Sequence, residues 1–142
     1  MKIRSIAIVA TTRPIGTLPG FVPVEAAAKD LETVTPAIQE AISNIPGKSL
    51  IGLVVSYPPG GKAPAHTHAR SAFIVGYMLS GSIRSQVNGG KIQVLHAGEH
   101  WIEPPGAHHQ IGENASTTEP ASLLAIFVAD TADAGRLTTI DK

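Results

Sequence analysis

The sequence predicts an all-β protein with a minor helical part, a single antiparallel sandwich or barrel. Between residues 49 and 129, short apolar or alternating runs recur, each closed by Gly, Pro, Asn or Ser. One closure, Asn88-Gly89-Gly90, is a hairpin signal, because Asn and Gly tolerate the positive φ that a tight turn requires. The chain has 142 residues, 43% of them apolar, which is enough for one buried core, and no repeat or low-complexity linker divides it.

In chain order, residues 3–9 read as a strand around Ile6-Ala7-Ile8-Val9-Ala10. That run is too short for the apolar segment of a secretion signal, although Lys2 and Arg4 precede it. Residues 11–24, rich in Pro, Gly and Thr, read as a loop, and Glu25 to Val34 as a short surface helix. Thr35-Pro36 resembles an N-cap followed by Pro at the first helical position, with Ala37, Ile38, Ala41 and Ile42 on one face. A second short helix is therefore expected to stop near Asn44, before Pro46-Gly47. Strands are then expected at Ser49–Tyr57, Phe73–Leu79, Ile83–Val87, Lys91–Leu95, Glu99–Glu103, His109–Ile111 and Ser122–Ala129. The division is an extension over 1–48, a barrel over 49–130 and a tail over 131–142, all one domain.

Eleven Lys+Arg balance eleven Asp+Glu and are scattered, so neither nucleic acid nor an anionic membrane surface is an expected partner. The absence of cysteine excludes disulfides, thiolate metal sites and thiol nucleophiles. No apolar stretch approaches membrane-spanning length. A soluble, cytoplasmic protein is expected, with a degenerate secretion signal left open. The exposed edges of such a barrel, at Ile3–Val9 and Leu137–Ile140, invite pairing, so a homodimer is expected.

The chemistry concentrates in two histidine groups, His66-Thr67-His68 and Pro104-Pro105-Gly106-Ala107-His108-His109. In a strand, alternate side chains share a face, so His66 and His68 point the same way. A third imidazole from a neighbouring strand would complete a set of nitrogen donors for a divalent transition metal. His108 should point opposite to His109, and His96 and His100 flank a turn and should be exposed.

At these residues the chain resembles the cupin family. The first cupin motif is approached by Gly60, five residues, His66-Thr67-His68, and later Gly81. The second is matched by Gly98, Pro104, Gly106 and His109, with Asn114 one residue late. The resemblance implies a double-stranded β-helix, or jelly-roll barrel, with His66, His68 and His109 holding one divalent ion: Fe, Mn, Ni, Zn or Cu. The Glu of the first motif is missing, since its candidate positions are Ala72, Phe73 and Ile74. Three explanations stay open: a three-histidine site, a substitute ligand from another strand, with Gln86 and Glu103 as the candidates, or a weakened site that binds no metal. Glu103 or His108 could act as an acid/base. Phe73, Tyr77, Met78, Trp101 and Phe127 are the large residues that would wall a substrate pocket, with Trp101 and Glu103 sharing strand parity. The expected function is a metal-dependent enzyme acting on a small organic molecule, of dioxygenase, decarboxylase, isomerase or lyase type. A non-catalytic module that binds a metal or small molecule is the alternative.

Overall fold

The computed structural model describes residues 32–142. Ten strands form two five-stranded antiparallel sheets. In chain order they are β1 (Thr33–Ala41), β2 (Lys48–Tyr57), β3 (His66–His68), β4 (Phe73–Ser80), β5 (Ser82–Val87), β6 (Gln93–His96), β7 (His100–Glu103), β8 (His108–Asn114), β9 (Ala121–Asp130) and β10 (Thr138–Ile140). The first sheet runs β1-β2-β9-β4-β7 and the second β10-β3-β8-β5-β6. This is the antiparallel two-sheet arrangement expected from the strand spacing, in the jelly-roll form that the family resemblance implied.

The first sheet is phased by period-2 burial. On β9, Leu123, Ala125, Phe127 and Ala129 turn inward, and on β2 so do Ile51, Val55 and Tyr57. Ile74 and Met78 on β4 and Trp101 on β7 join them, and Ile83 and Leu95 close the core from the second sheet. Each Leu, Ile, Val, Phe or Met side chain so removed from water contributes roughly 1.5–3 kcal/mol, and each alanine methyl less. The turns that separate the strands use the motif glycines: Gly81, Gly98 and Gly106 all have positive φ. At Gly81 a side chain would also meet the Pro120 carbonyl, so both conformation and space require glycine there.

One expectation is overturned here. The helix expected over 35–44 is strand β1, paired antiparallel with β2 from Thr33↔Ser56 to Ala41↔Ser49. The cap-like Thr35-Pro36 loses to tertiary pairing, because Thr33, Val34, Thr35 and Ile38 are β-branched and suit a strand. Proline is tolerated because β1 is an edge strand among the described residues, and the register shifts just after it, between Pro36 and Ile38. Gly52, opposite Ile38, leaves room for that side chain: a Cβ there would lie 3.1 Å from Ile38 Cδ1. The only helical turn among the described residues is a 3-10 turn at Thr131–Asp133. The tail strand Thr138–Ile140 pairs with His66–His68 of its own chain and is the outer strand of the second sheet among the described residues. The expected strand 3–9, the loop over 11–24 and nearly all of the expected helix over 25–34 lie outside the described residues. No helix among the described residues is long and apolar enough to cross a membrane.

Candidate metal centre

β3 is only three residues long and lies between β10 and β8. Its register places His66 directly opposite His109 on β8, so both side chains leave on the same face of the second sheet. One ring nitrogen of each of His66, His68 and His109 lies within 4.8 Å of the others. The rings meet edge to face, with centroids 4.7 Å apart for His66–His68 and 5.1 Å for His66–His109.

Backbone carbonyls set the direction of each ring on β3. His66 Nδ1 lies 2.8 Å from the Pro64 carbonyl, and His68 Nδ1 lies 3.2 Å from the Leu137 carbonyl, just before β10. A carbonyl only accepts, so in the neutral rings Nδ1 carries the hydrogen and Nε2 presents its lone pair inward. The two Nε2 atoms are 3.2 Å apart. On His109, Nε2 is bonded to the Ser85 hydroxyl at 2.9 Å, and Nδ1 lies 3.4 Å from Glu103 Oε1.

The facing sheet brings two residues from β7. Trp101 lies across from Gly76 of β4, where any Cβ would run into the indole, so the missing side chain makes the ring's seat. The indole Nε1–H donates to Glu103 Oε1 at 2.9 Å. Glu103 Oε2 lies 3.0 Å from His68 Nε2, yet no N–H is aligned on it. It is a buried side-chain polar atom without a hydrogen-bond partner among the described residues.

Burial pushes the Glu103 carboxyl up, but the nearness of His68, the charge on His109 and the indole N–H outweigh it. The carboxyl is held below the usual range. Burial depresses His109 to about 4, and the neighbouring His66 and His68 add to this against the opposing pull of Glu103. His109 is therefore neutral at neutral pH, as a metal ligand must be.

These groups open onto a cavity of about 250 Å³ walled by Leu53, Val55, Ile74, Leu123 and Ala125, with Trp101 and Tyr57 as its aromatics. The Tyr57 hydroxyl donates to Glu32 Oε2 at 2.9 Å, and burial together with that carboxylate raises its pKa well above the ordinary value.

The structure does not gather every residue that the sequence proposed. Gln86 faces away from the histidines and donates to the Gly90 carbonyl instead. Ser85 is the residue β5 turns inward, because Ile83 and Ser85 set the parity and the register shifts between Gln86 and Val87. Phe73 and Tyr77 are 42% and 41% exposed while Ile74 and Met78 are each 1% exposed, so β4 turns the two aromatics outward. Met78 fills the core without lining the cavity. Phe127 packs against His68, with ring centroids 5.6 Å apart. His108 points to the other face and pairs with Asp141 at 2.7 Å, and His96 and His100 are exposed. Asn114 is structural: it donates to the Pro58 and Glu119 carbonyls and accepts from the Ser116 N–H. Sequence reasoning missed Tyr57, Glu32 and Ser85. Tyr57 was recoverable as the last inward position of the series 51, 53, 55, 57, whereas Glu32 carried no signal.

With this geometry in view, comparison with known proteins gives a family. Residues 53–127, just over half of the chain, match the Cupin domain family. The chain belongs to the cupin family. No curated protein matches the sequence. Among solved structures, it is similar to a conserved double-stranded β-helix protein from Klebsiella pneumoniae, at 17% identity and TM-score 0.61. That match covers 79% of this chain and 85% of the other. It is also similar to the DMSP lyase DddQ from Ruegeria pomeroyi, at 23% identity and TM-score 0.63, over 81% of this chain and 54% of the lyase. An oxalate oxidase in complex with glycolate matches at 24% identity and TM-score 0.55, over 70% of this chain and 52% of the oxidase. The match thus spans about half of either enzyme, and likeness at this level establishes the fold. Cupins often bind a metal, and the donors here fit one: two inward Nε2 lone pairs, a third neutral imidazole and an unpartnered carboxylate oxygen.

Proposed function

We propose that this cupin is a metal-dependent enzyme acting on a small organic molecule, with one divalent transition ion held by His66, His68 and His109. The observation that carries the reading is the convergence of three buried imidazoles, two with their hydrogens committed to backbone carbonyls, at the edge of a mostly apolar cavity. When bound, the ion supplies Lewis acidity or oxygen activation. The rest is done by the chain. Leu53, Val55, Ile74 and Leu123 exclude water and select a small substrate with an apolar part. Trp101 forms the floor beside the ligands, and the Tyr57 hydroxyl offers a polar contact across the cavity. Glu103 works at the same centre as its buried carboxylate. The printed activities of two structural neighbours, an oxidase and a lyase, favour enzymatic chemistry without choosing the reaction. The chain is further proposed to act as a homodimer, through the exposed edge β1 with Val34 and Ile38, which a light-scattering mass equal to one chain would refute.

Elemental analysis of untagged protein, beside the His66→Ala/His68→Ala variant, tests the reading. About one transition-metal ion per chain in the wild type, lost in the variant, is the expected result. Two metal-free proteins after reconstitution with Fe, Mn, Ni, Zn and Cu would sink it. Oxygen uptake during a substrate screen then separates oxygenase from lyase or isomerase chemistry.

A further inference from the structure

Glu103 Oε2 is a buried atom that the surrounding hydrogen bonds do not account for. The side chain is 3% exposed, Oε1 already takes the indole N–H, and Oε2 has no aligned donor among the described residues. Leaving a buried carboxylate oxygen unpaired is costly, and folded proteins rarely do so without a reason. Its neighbour at 3.0 Å is His68 Nε2, on a ring whose hydrogen is directed through Nδ1 to Leu137. In the neutral ring with that tautomer, lone pair faces lone pair. The same holds between His66 Nε2 and His68 Nε2 at 3.2 Å. The hydrogen bond from His68 that lowers the Glu103 carboxyl needs a second proton on the ring, at Nε2, which is the place a bound cation would take. Lone pairs that converge from two sheets suit the donor shell of a cation better than a hydrogen-bonded network.

The register gives the carboxylate its place. Glu103 on β7 is the cross-strand partner of Ile74 on β4, and Ile74 turns inward to line the cavity. Ile74 is also the only inward β4 position among residues 72–74, where the sequence lacks a carboxylate. Directly paired side chains in antiparallel strands start about 5 Å apart. A carboxylate on β7 at this register therefore reaches the region that one on β4 would.

Resting on the metal reading above, we infer that Glu103 is the fourth protein donor of the centre, binding through Oε2 while Oε1 stays on the Trp101 indole. The net charge of the loaded site then falls from +2 with three neutral imidazoles to +1. Glu103 is not free to shuttle protons. The competing role is that of a positioning residue, with Oε1 accepting from His109 Nδ1 at 3.4 Å and only orienting that ring. Loss of such an outer partner weakens metal binding by about 10–100-fold and leaves the ligand set intact.

Cobalt(II) titration of the metal-stripped full chain separates the two roles, because its visible absorption reports the ligand set. Glu103→Gln keeps the size and an acceptor for the indole but removes the anionic donor. The expected result is binding weakened beyond about 100-fold, above the range for an outer partner, together with an altered cobalt spectrum. A smaller loss, or an unchanged spectrum, overturns the inference while leaving the metal reading intact. Wild type that takes up no cobalt overturns both. Should the variant fail to fold by circular dichroism, infrared difference spectra of wild type labelled with 13C-glutamate decide. A carboxylate stretch that shifts on addition of one equivalent of cobalt supports ligation by Glu103, the one buried carboxylate among the described residues, and an unshifted one overturns it.

Discussion

The inward faces of the two sheets differ sharply around the cavity. The second sheet presents His66, His68, His109 and Ser85, with every ring tied to a neighbour by at least one nitrogen. The first presents Val55, Ile74, Leu123, Ala125 and Trp101, with Glu103 as its one buried carboxylate among the described residues. The difference divides the labour. The polar sheet fixes donors in space through backbone carbonyls, and the apolar sheet lowers the local dielectric and aims one negative charge at them. Each half is incomplete without the other: imidazole supplies no negative charge to balance a cation, and Glu103 alone would be an uncompensated buried anion.

The largest perturbation of this division should come from Trp101→Ala. It empties a core position and removes the N–H that holds Glu103 Oε1, so a loss of about 3–5 kcal/mol is expected in denaturant unfolding. Gly76→Ala attacks the same indole from beneath and should cost about 1–3 kcal/mol, with a change in tryptophan fluorescence from the displaced ring.

Acid should act on both faces in the same direction. His109 is depressed to about 4 in the folded protein, so between its ordinary value of 6.5 and about 4 the unfolded chain binds more protons. Stability of the metal-free protein therefore falls as pH drops through that window, by roughly 1–3 kcal/mol. Glu103, also held below its ordinary 4.5, contributes stability above that value and loses it on further acidification. Urea midpoints at pH 7, 5.5 and 4 check the sign, and a midpoint that rises on acidification contradicts it.

Ser85→Ala removes the hydroxyl on His109 Nε2 and should cost about 1 kcal/mol by the same unfolding measurement. Gln86→Ala, one residue away but on the outer face, should change stability by less than about 0.5 kcal/mol and leave metal content unchanged.

That last pair shows where the sequence was legible. The strands from 48 to 130 follow from alternation and turn residues, and the three clustered histidines follow from i, i+2 spacing plus the Pro-x-Gly turn before His109. What failed was phase. Phe73-Ile74-Val75 is apolar on both faces, so alternation does not tell which member turns inward, and Phe73 and Tyr77 were assigned to the wrong side. At Gln86 a register shift next to Val87 makes local parity a poor guide, and the inward polar residue is Ser85. The helix expected at 35–44 failed because a local cap signal was weighed without the pairing partner β2. Glu103 was visible as a carboxylate sharing parity with Trp101, but its unpaired oxygen depends on rings from three other strands, which only the fold assembles.

The most direct test of the central claim is calorimetric melting of the metal-stripped chain with increasing zinc or manganese, beside His109→Ala. An ion bound only by the folded state raises the melting temperature progressively with its concentration. The account predicts that rise in the wild type and its loss in the variant, whose missing imidazole comes from β8 and leaves His66 and His68 in place. No rise in the wild type, or an equal rise in both proteins, would contradict it.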